Sequence, residues 1–162
     1  MIPDAYKTYL LVRGAGTTAH SGYTLWAHLA GVHRILVETN SDADVCNAGL
    51  FHSVYGTAAF KSVTAEPSAR GEVRELIGSS AEDLVWAFCN LPRPQLFEAS
   101  LATREYGWLD TLDAAGPKSE VLKGLLRLEC ANLLEQRMLY QFPQLTRHAQ
   151  EIGLLDADGF CL

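Results

Sequence analysis

The sequence predicts an all-α fold, one compact helical domain over residues 1–162, and three observations point there. Apolar residues recur at i, i+3, i+4 and i+7, most clearly at Leu25, His28, Leu29, Val32, Ile35 and Leu36. No segment sustains the alternation of a half-buried strand or carries a hairpin turn. Capping side chains stand ahead of the apolar stripes, and Gly or Pro follows them.

Taken in order, Asp4 can cap a first helix running to Gly14. The loop GAGTTAHSG places His20 just before the next helix, and its glycines match neither phosphate-binding pattern. A second helix runs from about Thr24 to Glu38. His33, five residues beyond His28, points away from the stripe and is expected at the surface or behind the site. Asp42 can cap a third helix whose inner face is Val45, Ala48, Gly49, His52 and Tyr55. Residues 57–67 read as a loop or broken helix, and 68–77 as a short charged helix ending at Gly78. Ser79 and Glu82 have the spacing of a capping box for a helix to about Asn90. The prolines of LPRP break the chain. Gln95 to Tyr106 reads as helical and 109–116 as a connection. Ser119 caps the longest helix, Glu120 to about Gln141, and a final helix covers about Pro143 to Ile152.

A chain of 162 residues can bury a core, and 48% hydrophobic with 20% charged residues is ordinary for a globular protein. The net charge of −6 argues against a nucleic-acid surface, which needs clustered Lys and Arg. No apolar run approaches the roughly 20 residues of a membrane span. The start MIPDAYKTYLLVRG lacks the pattern of a secretory signal, so a cytoplasmic protein is expected. Cys46, Cys89, Cys130 and Cys161 are far apart with no C-x-x-C pair, which argues against a zinc ribbon, and Cys46, Cys89 and Cys130, inside apolar helical segments, read as small hydrophobes.

The polar residues that matter are His28 and His52, each replacing an apolar residue in a stripe. Burying such a ring without a partner costs about 1–3 kcal/mol. The two rings are therefore expected to face each other across a pocket, as metal ligands or as an acid–base pair. Ser53 and Tyr55 stand beside His52, and Asn132 sits mid-helix. The expected catalytic set is His28, His52, Ser53, Tyr55 and Asn132. His20, Thr57, Glu129 and Glu135 are expected around the substrate, with at least one of the two glutamates solvated. His148 is expected at the surface.

At these residues the chain resembles the HD-domain superfamily, in particular its RelA/SpoT-like alarmone hydrolases. Ser21-Gly22 stands seven residues ahead of His28, AGLFHSVYGT supplies His52, and RLECANLLEQR supplies Asn132. The resemblance implies that His28 and His52 ligate a divalent metal. It departs at three points: Ser53 replaces the Asp of the His-Asp pair, Asn132 replaces the last Asp, and Gly56-Thr57 replaces a Glu-Asp. Divalent ions favour anionic oxygens, so an intact alarmone hydrolase is not expected. The chain looks more like a group of short HD-like proteins with His-Ser in place of His-Asp.

The expected function is an HD-like enzyme with an altered site, acting on a small molecule by hydrolysis or lyase chemistry through His28 and His52. Its cofactor is either a divalent Fe, Mn or Zn ion or none. The alternatives are a degenerate module that binds a small ligand, and a non-haem iron HD-type oxygenase. No nucleic-acid or membrane partner is expected. The aromatic groups Trp26/Phe51/Phe60 and Trp86/Phe97/Trp108 are either core or the face of a homodimer.

Overall fold

A computed structural model describes residues 1–20, 22–56 and 64–156. Among them are eight α-helices: α1 (Asp4–Val12), α2 (Leu25–Glu38), α3 (Ala43–Phe51), α4 (Arg70–Ile77), α5 (Ser79–Asn90), α6 (Gln95–Thr103), α7 (Lys118–Glu135) and α8 (Pro143–Glu151). The fold is all-α. Among the described residues the one sheet is a minimal hairpin, β1 (Ala19–His20) against β2 (Tyr23–Thr24), paired Ala19 with Thr24 and His20 with Tyr23. Two residues per strand are too few to show alternation, which is why the sequence does not announce it. Thr57, Phe60 and Cys161, as well as Ser21, lie outside the described residues.

Helices α2, α3, α5 and α7 surround the core, which includes Leu29, Leu36, Leu50, Phe51, Phe88, Leu125 and Leu128. The Thr24 side chain caps α2 by accepting from the Ala27 N–H at 3.2 Å. α2 and α3 approach closely at Gly49, where a Cβ would run into the Leu36 side chain. Gly49→Ala should therefore lose about 1–3 kcal/mol despite the better helix former, a net loss readable as a lower urea midpoint at unchanged m.

Several local expectations are corrected. Asp4, Asp42 and Ser119 make no capping hydrogen bond; Pro3 and Pro117 occupy the N-cap positions of α1 and α7. Gly78 is the N-cap of α5, so Ser79 lies inside the helix and the capping box does not form. Glu82 instead receives Arg70 at 2.7 Å, Arg74 at 2.7 Å and the Tyr55 hydroxyl at 3.0 Å. α7 stops at Glu135 because Arg137 turns into the left-handed region (φ 59), letting the Met138 N–H reach back to the Leu133 carbonyl at 2.8 Å. His33 is buried, bonded to the Cys46 carbonyl at 2.9 Å, and not a surface group. Phe51 and Phe97 are fully buried, while Trp26, Trp86 and Trp108 lean half-buried on the core. Cys46, Cys89 and Cys130 are buried free thiols. Among the described residues no helix is long and apolar enough to cross a membrane.

Candidate functional site

His28 lies in the first turns of α2, and His52 is the C-cap of α3. At that helix end the Gly49 carbonyl has no intrahelical partner, and the His52 Nδ1–H donates to it at 2.8 Å. That bond fixes the tautomer and leaves His52 Nε2 as an acceptor. Facing it at 3.1 Å is His28 Nε2. The other nitrogen of His28, Nδ1, lies 2.5 Å from Glu135 Oε2. Both histidines are buried, 0% and 2% exposed, so they meet in direct contact rather than across a hollow.

Glu135 ends α7, where a negative charge opposes the helix dipole. Its carboxylate nevertheless has strong partners: besides His28, the Tyr23 hydroxyl donates to it, 2.7 and 2.8 Å from its two oxygens. Gly31 on α2 makes this possible, because a Cβ there would come within 2.9 Å of Glu135 Cγ and Oε1. The β1–β2 hairpin carries both Tyr23 and His20 to this edge. The His20 ring stacks on His28 with centroids 4.2 Å apart and planes 32° apart. The result is a chain of contacts from half-exposed Tyr23 through Glu135 and His28 to deeply buried His52.

The electrostatics follow from burial and neighbours. Burial first, and the neighbouring His28 second, push His20 down to about 4 and hold His52 well below the usual histidine range. Burial alone would raise Glu135, but the hydrogen bonds from His28 and Tyr23 outweigh it and hold the carboxyl below its usual range. Burial and the bond to Glu135 push the Tyr23 hydroxyl up to about 12, so it is a donor and not a base.

The remaining residues divide. Ser53 is buried beside His52 in sequence, and its Oγ has no partner among the described residues. Asn132 is buried one turn before Glu135; its Oδ1 accepts from Gln136 at 3.0 Å and its Nδ2 lies 3.5 Å from Glu129. No described hydrogen bond joins it to either imidazole. Glu129 is fully buried and receives Arg93 at 3.0 Å, so neither glutamate is a free solvated group. Tyr55 belongs to the Glu82 cluster; burial and the Glu82 carboxylate push its hydroxyl strongly upward. His148 is half-buried.

Two imidazoles whose Nδ1 atoms are both anchored, and whose Nε2 atoms converge, resemble the first half of a metal site with its outer hydrogen bonds in place. The second half does not fit. Glu135, the nearest carboxylate, faces Nδ1 of His28, and among the described residues no three His, Cys, Asp or Glu side chains group around one point as ligands. Ser53 and Asn132 add only neutral oxygens, a poor set for Mn or Fe and short of the usual zinc complement.

Tyr23 and Gly31 carry this geometry, and Arg93 holds Glu129 behind it; sequence reasoning passes over all three. Only the small residue at Gly31, inside an otherwise apolar helix, is a signal that another side chain passes close.

Residues 9–93 match a family described as a domain of unknown function (DUF6817). The matched stretch takes in His20, His28, His52 and Arg93 and ends before α7. No curated protein and no solved structure matches the chain.

Proposed function

The chain belongs to the family described as a domain of unknown function (DUF6817), and within it we propose an enzyme that works by acid–base catalysis on a small molecule. One observation carries the reading: Nε2 of His28 and Nε2 of His52 lie 3.1 Å apart while both Nδ1 atoms already donate elsewhere. Two neutral rings anchored in this way would aim lone pair at lone pair. A proton on His28 Nε2 removes the conflict and makes His28 an imidazolium held against the Glu135 carboxylate.

Both N–H groups of that buried imidazolium face Glu135 and His52, so His28 is a positioning group that keeps the Glu135 carboxylate ionised and fixed. His52 orients His28 and accepts from it. The substrate meets the outward edge, where His20, Tyr23 and Glu135 converge. There His20, neutral at pH 7, takes the proton of an attacking water, or the substrate proton in an elimination, and returns it to the leaving oxygen, while the Tyr23 hydroxyl hydrogen-bonds the substrate oxygen that gains charge. Hydrolysis and elimination are the reaction classes that need this combination. The order of His28, His52 and Asn132 along the helices supports an HD-type scaffold as part of the same proposal. No step runs through a metal, because the ligand set among the described residues is incomplete.

Nitrogen-15 NMR of the histidine side chains, on protein purified without added metal, tests the proton. His28 is expected with both nitrogens protonated at pH 7 and His52 as the Nδ1–H tautomer, with Glu135→Gln removing the second proton from His28. Turnover of an ester and phosphoester panel is expected to fall about 100-fold in His28→Gln and Glu135→Gln. A singly protonated His28, a stoichiometric metal ion in the purified protein, or turnover indifferent to both substitutions overturns the reading.

A further inference from the structure

A separate cavity of about 390 Å³ opens where the α2–α3 junction, the first turns of α3, α5 and α7, and one side of α8 meet. None of the residues of the histidine site lines it. Its size suits a small molecule of metabolite dimensions. Val45, Leu84 and Val121 give it an apolar floor.

The charges around it are not all matched. Asp83 is taken by Arg74 at 2.5 Å and by the Ala115 N–H at 3.0 Å, and Glu120 pairs with Lys123 at 2.9 Å. His148 is held below the usual histidine range, first by burial and also by Arg127, and is neutral at pH 7. Arg127 is different. Its guanidinium donates to Ser41 Oγ at 2.6 Å and to the carbonyls of Thr39 at 2.6 Å and Ile152 at 3.1 Å. All three acceptors are neutral, so a half-buried cation is fixed in place with no described ion pair. Asp42 and Asp44 line the same cavity and also form no described ion pair. Three of the five guanidinium N–H groups are used in these bonds, so two remain to donate to a carboxylate.

We propose that this cavity binds a small zwitterion with an apolar body, of the kind represented by an α-amino acid with an aromatic side chain. The carboxylate meets Arg127, the ammonium meets Asp42 and Asp44, and the side chain lies on Val45, Leu84 and Val121. A protein that carries a fixed cation and two carboxylates around one hollow gains from a ligand that neutralises both.

Isothermal titration with L-phenylalanine, 3-phenylpropionate and phenethylamine separates the contributions. L-Phenylalanine is expected to saturate with a Kd near or below about 1 mM, and each half-ligand to bind at least about tenfold more weakly. The double variant Asp42→Asn/Asp44→Asn is expected to weaken L-phenylalanine about tenfold and to leave 3-phenylpropionate as tight or tighter, since two negative charges leave the cavity that holds its carboxylate. Arg127→Gln also cuts the ties to Thr39, Ser41 and Ile152, so Arg127→Lys, which keeps the charge but not the fork, is the companion variant, expected to weaken both carboxylates. No saturation up to about 10 mM overturns the proposal. So does 3-phenylpropionate binding as tightly as L-phenylalanine, which marks a plain anion site, or phenethylamine doing so, which marks a plain cation site.

Discussion

Arg93→Met is expected to destabilise the protein by about 3–5 kcal/mol near pH 8, the cost of leaving a buried charge without its partner. Arg93 donates to Glu129 at 3.0 and 3.3 Å, to the Phe88 carbonyl at 3.0 Å, and lies 3.6 Å over the Phe88 ring. Glu129 is 0% exposed, and burial pushes its carboxyl up even with Arg93 present. Without the cation, the folded state keeps Glu129 only by protonating it. An unfolded Glu titrates near 4.3, so above that pH the folded variant binds more protons than the unfolded chain, and its stability falls as pH rises. The loss should therefore be larger at pH 8 than at pH 5. Arg93→Met/Glu129→Leu removes both charges and should recover most of the stability. Urea midpoints of the three proteins at the two pH values check this. A single variant within about 1 kcal/mol of the parent at pH 8 refutes the buried-pair account.

That pair also shows where the sequence was legible and where it was not. The helical stripes were, because burial repeats at the helix period and needs no partner identity. Stripe logic also singles out His28 and His52, since a polar ring where leucine belongs must find company. It does not say what company. Glu135 reads as one of two carboxylates near Asn132, and its engagement with His28 depends on Gly31 and on a hairpin two residues deep. Glu129 and Arg93 are 36 residues apart and nothing local links them. Glu82 shows the opposite error. A serine three residues ahead of a glutamate has the spacing of a cap, but Gly78 takes the cap position and two arginines from the preceding helix take the carboxylate. Local pattern fixes faces; long-range charge pairing decides what the faces hold.

The same burial that hides the histidines predicts a marked loss of stability on mild acidification. An unfolded histidine titrates near 6.5, and His52 in the fold lies well below that value, chiefly through burial. Between the two values the unfolded chain binds more protons, so stability is complete above about pH 6.5 and is lost as pH falls, by about 1.4 kcal/mol per pH unit for one such group. From pH 7 to pH 5 His52 alone should remove about 2 kcal/mol. His20, pushed down to about 4, has the same sign, but it is half-exposed and solvent screening reduces its share. His148 is also lowered, with Glu151 opposing the shift. Glu135, held below the usual carboxylate range, starts to matter only at lower pH. Urea unfolding at pH 5, 6 and 7 should give a steep rise in stability for the parent, and His52→Gln should flatten that rise by about 1.4 kcal/mol per pH unit. An unchanged slope in His52→Gln would mean that His52 already carries a proton in the fold, and the direction of the His28–His52 hydrogen bond would have to be reversed. A divalent ion between the rings would leave a different mark: a chelator would lower the midpoint at pH 7, where the proton-sharing pair is indifferent to it.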